Sequence, residues 1–210
     1  QTEFADLPMN ESDVNRAEVE LGYVDACGGV ITELRLTDDF LYSLRDINTT
    51  GDEEYTAAAI NQAEISIYID GAEYDYRLID PVTMGDRMNK SLSRLGMYLN
   101  YKSLTPVADY MYTNEQSGGV LAYNGYMNRS LACYQMNVTS YFQALMNEVL
   151  KLKPEADGSL DFSKLSLPRT IFVGPDALDN FSFNRSVIQG GNSELNPASI
   201  DIKLTYTLIK

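Results

Sequence analysis

The sequence predicts a mainly β chain, folded as an antiparallel, jelly-roll-like β-sandwich with two inserted helices. Three observations carry that expectation. Short runs of strictly alternating apolar and polar residues recur along the chain, which is the period of half-buried strands. Turn residues (Gly, Asn, Asp, Pro) separate them. No sustained alternation of strand and helix patterns appears, which argues against a doubly wound parallel sheet. Two antiparallel sheets packed face to face satisfy all three.

Residues 1–17 lack periodicity and read as a lead-in, leaving 18–210 as one sandwich domain. "EVELGYV" (18–24) alternates Val19, Leu21 and Tyr23 with Glu18 and Glu20. "GGVITELRL" repeats the pattern after the Gly28-Gly29 pair, which permits a bend or bulge. "TDDFLYSLRDI" reads as a short helix capped by Thr37 or Asp38. "NQAEISIYI" is a strand that Asp70-Gly71 turns into "YDYRL", the signature of a type I′ hairpin. "RLGMYLNYK" supplies another strand, and Asn124-Gly125 marks a second hairpin between "GGVLAY" and "YMNRSLACYQM". In "NVTSYFQALMNEVLKLK" the residues Val138, Phe142, Leu145, Val149 and Leu152 share one helical face. Asn137 or Thr139 caps that helix and Pro154 stops it. "RTIFVG" is a short strand, and "ASIDIKLTYTLI" closes the chain with the most regular alternation of all. The count is eight or nine strands.

Composition removes several chemistries. The 210 residues contain no histidine, so a Ser-His-Asp triad, a Cys-His pair and an HExxH zinc helix are excluded. Two cysteines without histidine cannot complete the usual structural zinc sets. Sixteen Lys and Arg against 30 Asp and Glu leave a net charge of −14, which repels nucleic acid and anionic membrane surfaces. No apolar stretch approaches the roughly 20 residues of a membrane helix. No basic start precedes an apolar run, so a signal peptide is absent or already removed.

Cys27 precedes a glycine pair and Cys133 sits mid-strand, leaving buried thiols, a disulfide or a redox pair as alternatives. The redox pair lacks the Cys-x-x-Cys spacing. A disulfide would close a loop of about 100 residues, worth roughly 4.7 kcal/mol in the loop-entropy account. Thirty carboxylates make chance pairs certain, and none is singled out as a catalytic dyad. "DGSLD" places Asp157 and Asp161 in a loop as weak calcium ligands, without the EF-hand pattern. Tyr110, Tyr112, Tyr123 and Tyr126 cluster around expected loops, where exposed rings would stack on a sugar or anchor a partner protein. The competing expectation is that they fill amphipathic strand positions.

"ACGGVITELRL", "NQAEISIYI", "TPVADYMYT", "YNGYMNRSLACYQMNVTSYFQAL" and "VIQGGNSELNPASIDIKLTYTLIK" follow one another in the chain. Together they resemble uncharacterised Bacteroidetes surface lipoproteins that carry a domain of unknown function. The likeness spans nearly the whole chain and the C-terminal half or so of a typical member. The lipid-bearing N-terminal cysteine of such proteins is not among these residues. The resemblance implies an outer-membrane or cell-surface location and brings no catalytic or ligand residue with it. The expectation that follows is a non-enzymatic, cofactor-free binding or assembly module with a glycan or surface-protein partner. A pilin- or adhesin-like subunit, pairing its last strand with a neighbour's sheet edge, is the second. A glycan-binding or glycan-cleaving module is the third.

Overall fold

A computed structural model describes residues 21–27, 29–47, 57–111, 123–176, 182–191 and 198–209. Strand outweighs helix, and every sheet is antiparallel. The strands are β1 (Leu21–Asp25), β2 (Thr32–Arg35), β3 (Ala57–Tyr68), β4 (Leu95–Asn100), β5 (Thr105–Pro106), β6 (Asn124–Asn128), β7 (Cys133–Asn137), β8 (Thr170–Pro175), β9 (Arg185–Gln189) and β10 (Asp201–Ile209). The α-helices are α1 (Asp38–Asp46), α2 (Pro81–Lys90) and α3 (Thr139–Val149). The lead-in, residues 18–20, Gly28 and the first arm of the Asn124 hairpin up to residue 122 lie outside the described residues.

One four-stranded sheet has the order β10-β3-β7-β6, another β2-β8-β4-β5, and β1 pairs with β9 in a ribbon. A bridge between Ile69 and Ile188 attaches that ribbon to the end of β3. Ser66 pairs with Asp201 three residues earlier, so β9 and β10 lie in line along one edge of β3. The pairings nest: β1 with β9, β2 with β8, β3 with β7. Ile65, Ile67 and Ile69 of the β3 region and Ile171 and Val173 of β8 are almost wholly buried and form the centre of a sandwich-like core. Helices α1 and α3 cover it, with Phe40 and Phe142 edge to face at 5.5 Å.

Three expectations change. The described residues hold three α-helices, not two. Only Met84 of α2 is buried, so no apolar stripe announces that helix. Its signals are at its ends: Asp80 accepts the Val82 and Thr83 N–H groups, Pro81 opens the first turn, and Arg87 and Lys90 stand in the last. Second, the Asp70-Gly71 turn forms, with Gly71 at φ +79°, but no strand follows it. Both edges of the chain are already taken there, since Ile69 N–H donates to Ala132 O and Asp70 N–H to Val187 O. Tyr76–Leu78 therefore form a single 3-10 turn in solvent. Third, the hairpin near Asn124 reverses later. Asn124 and Gly125 both have positive φ yet lie within β6, and the chain turns at residues 129–132 with Asn128 Oδ1 accepting from Ser130 and Leu131.

The cap of α3 also differs from expectation. Asn137 Oδ1 accepts from the Thr139 N–H and from the Thr139 hydroxyl. The next two N–H groups, from Ser140 and Tyr141, donate at 2.7 and 2.9 Å to the buried carboxylate of Asp109, in a 3-10 turn (Ala108–Met111) remote in sequence. The charge thus sits on the positive end of the helix.

Candidate functional site

A groove of about 740 Å3 lies between the two sheets. It forms because β2 is an edge strand and β9 and β10 meet end to end along β3, leaving apolar faces that no further strand covers among the described residues. Ile65 of β3, Ile171 of β8 and Ile188 of β9 make its floor, each 0–1% exposed. Half-buried Leu34, Ile200 and Ile202 form the walls. Leu34 pairs with Ile171 and Thr32 with Val173, so these side chains share the inner face of the sheet, while Glu33 and Arg35 take the outer face. Gln189 borders the groove, but its amide is consumed: Nε2 donates to Ile69 O and Ala72 O, and Oε1 accepts from Ala198 N–H. The floor is apolar, and the charge sits at the mouth. There Arg169 pairs through Nη1 with Asp38 in the first turn of α1.

The tyrosines expected to bind a ligand behave otherwise. Tyr110, Tyr123 and Tyr126 do come together, and Tyr112 lies outside the described residues. What they surround is the protein's own Arg94, whose Cζ stands 5.2, 5.5 and 5.0 Å from the three ring centres. Its Nη1 donates at 3.0 Å to Asp176, its Nε at 2.7 Å to Asn124 O, and the Tyr110 hydroxyl donates to the same carboxylate. Tyr123 is completely buried, and burial pushes its hydroxyl well above the usual range against the pull of Arg94. Tyr110 is half-buried, and Tyr126, 51% exposed, is the most open of the three. Arg94 and Asp176 carry no local sequence signal, because they sit 82 positions apart and meet only through the pairing of β4 with β8.

The cysteine staple does not form. Cys27 is exposed in the turn after β1, its Sγ donating to Ser182 O, whereas Cys133 is buried inside a four-stranded sheet. Burial, helped by Glu64, raises the Cys133 thiol to about 11, so it stays protonated and inert at neutral pH.

Asp157 and Asp161 serve the backbone. Asp157 accepts from the Ser159 N–H and hydroxyl, Asp161 from the Ser163 N–H and hydroxyl, and both carboxyls are held below the ordinary range by those bonds. Lys164 adds an ion pair to Asp161. Among the described residues no three acidic or cysteine side chains gather in a metal-holding group, and no helix is long and apolar enough to cross a membrane.

No family model, no curated protein and no solved structure matches this chain. The groove therefore has to be read from its own chemistry.

Proposed function

We propose that this chain is a non-enzymatic binding module of a bacterial surface lipoprotein, wound as a jelly roll, with the groove between its sheets as the binding site. The observation that carries the reading is the groove itself. A cavity of about 740 Å3 falls in the size range of small-molecule sites, roughly 300–1,000 Å3. Its floor of isoleucines offers burial of apolar surface and no nucleophile or acid–base pair. The jelly-roll assignment draws on the nested pairing of β1 with β9, β2 with β8 and β3 with β7, the pattern of a long hairpin rolled over two sheets. The lipoprotein and cell-surface assignment draws on the Bacteroidetes resemblance alone, with the lipid anchor as the membrane attachment.

Native mass spectrometry of the protein purified from its producing cells tests the groove. A bound small mass retained by the wild type and lost in folded Ile200→Trp supports the reading. A wild-type spectrum showing only the bare monomer overturns it.

A second reading has its own observation. The outer edges of β10 and β2 are unpaired among the described residues and flank the groove, which suits a strand added by another copy in a pilin- or adhesin-like assembly. A dimer or ladder of masses in the same spectrum would favour it. Of its tyrosines among the described residues, the glycan reading retains Tyr126 as the exposed ring, and a glycan array with a Tyr126→Ala control tests it.

A further inference from the structure

The charge at the mouth of the groove narrows the ligand. Arg169 lies two residues before Ile171 on β8, on the same inward-facing side, and its side chain is only 23% exposed. It borders the groove directly. Its counter-ion, Asp38, is 62% exposed, so solvent screens the pair and water or another anion replaces the carboxylate at little cost. A guanidinium has five N–H donors, and the Asp38 contact runs through Nη1 alone. The inner side chains beyond Arg169 are Ile171, Ile65, Ile188, Ile200 and Ile202, with no polar group awaiting a partner. Glu33 and Arg35 also border the groove, from the outer-face positions of β2, so among the described lining residues Arg169 is the cation on the inward-facing side, beside an aliphatic floor. That pairing is complementary to a molecule with one anionic end and an aliphatic remainder.

We propose that the groove binds a single-chain carboxylate amphiphile, a free long-chain fatty acid, with its carboxylate on Arg169 and its chain laid over Ile171, Ile65 and Ile202. The inference rests on the groove being a binding site and adds the class of ligand. An acyl chain asks for no hydrogen bonds and so leaves the isoleucine floor as it stands. A sugar would bury hydroxyls there without partners, which costs affinity. Each methylene placed in the groove adds the transfer free energy of one CH2, so affinity rises about fourfold per carbon until the trough is full.

The test uses the full chain and isothermal titration below micelle-forming concentrations. Octanoate, decanoate and dodecanoate measure the chain-length dependence. Dodecanol and dodecyltrimethylammonium replace the head group on a constant chain. We expect the fourfold-per-carbon trend, dodecanoate bound at least tenfold more tightly than either of the other heads, and that preference abolished in Arg169→Gln without loss of dodecanol binding. Ile200→Trp should remove all three. If that variant fails to fold, Leu34→Trp blocks the opposite wall. Equal affinity for the three heads overturns the carboxylate assignment and leaves the groove a binding site. Binding of none by the folded wild type overturns the ligand class, and the native mass spectrum then decides the groove independently. Displacement of dodecanoate by a second copy of the chain, seen as dimerisation, would overturn it in favour of strand addition.

Discussion

The two ends of the sandwich treat their side chains in opposite ways. Around Arg94 three tyrosines, a carboxylate and a backbone carbonyl converge on a cation that already fills the space. Between β2 and β10, isoleucines from three strands converge on a space with nothing in it that needs a hydrogen bond. The first looks like a ligand cage and is a structural lock; the second has no conspicuous residue and is the binding site we propose. An aromatic cluster says where recognition chemistry is concentrated, but whether the protein consumes it internally depends on a partner that sequence proximity does not reveal.

The most severe way to break the contrast is Arg94→Ala. Asp176 is 2% exposed on its side chain and Arg94 19%, so the substitution strands a buried carboxylate and empties the ring cluster. We expect a loss of about 3–5 kcal/mol in urea unfolding. Replacing both partners, as Arg94→Met with Asp176→Leu, should restore much of it, because no lone charge is then buried. Millimolar guanidinium should partly rescue Arg94→Ala by occupying the vacated cage. Ligand binding in the groove should be untouched in any variant that folds, since none of these residues lines it.

Next in size is Asp109→Ala. Ser140 and Tyr141 lose the acceptor for their N–H groups at the start of α3, in a buried setting. The expected cost is about 1–3 kcal/mol, with Asp109→Asn losing less because an amide oxygen still accepts one bond. Thermal unfolding followed by circular dichroism measures both.

These two cases mark how far the sequence could be read. The strands that alternate cleanly, β3, β4, β8 and β10, stand where the pattern puts them, because a residue period of two is a property of the strand itself. Helix α3 follows its apolar stripe for the same reason. What failed depended on competition between distant segments. "YDYRL" has a strand's alternation, but β7 and β9 reach the end of β3 first. Helix α2 buries one side chain and is held by its caps, so periodicity is silent while Asp80-Pro81 is explicit. The cap of α3 belongs to a carboxylate more than 30 positions away, beyond any local rule. As for the sites, three of the four tyrosines meet, which their spacing around one hairpin suggested. Their occupant did not show, and neither did the groove, whose floor is assembled from isoleucines of three separate strands.

The cysteines sharpen the comparison in a different observable. With ordinary thiol reagents the native protein should label at Cys27 alone, and the denatured, unreduced protein at both positions. No labelling in the denatured state would mean a bond between them. The pH dependence follows from Cys133. Burial on folding raises its thiol from an ordinary 9.0 to about 11. Below pH 9 both states are protonated and stability is at its full value. Between pH 9 and about 11 the unfolded chain releases a proton that the folded one keeps, so stability falls across that window. Tyr68, raised by burial from 10.0 to about 12, extends the decline. Unfolding midpoints against pH should therefore bend downward from pH 9, and Cys133→Ala should flatten the first part of the bend.

The smallest expected effect falls on the groove. Asp38→Asn removes the counter-ion of Arg169 at an exposed position, so the ion pair contributes at most about 1 kcal/mol. Asp38 also sits in the first turn of α1, where a negative charge favours the helix by roughly 0.3–1 kcal/mol. Stability should drop by no more than the sum of these two small terms. Carboxylate binding should move the other way, because Arg169 no longer has a competing anion beside it. A variant slightly less stable yet tighter for dodecanoate separates a cation kept for a ligand from one kept for the fold. Arg94, its counterpart in the tyrosine cluster, admits no such trade. Removing Asp176 from that end should lower stability and create no anion site, since the place its carboxylate leaves is buried, 2% exposed, beneath the tyrosine rings.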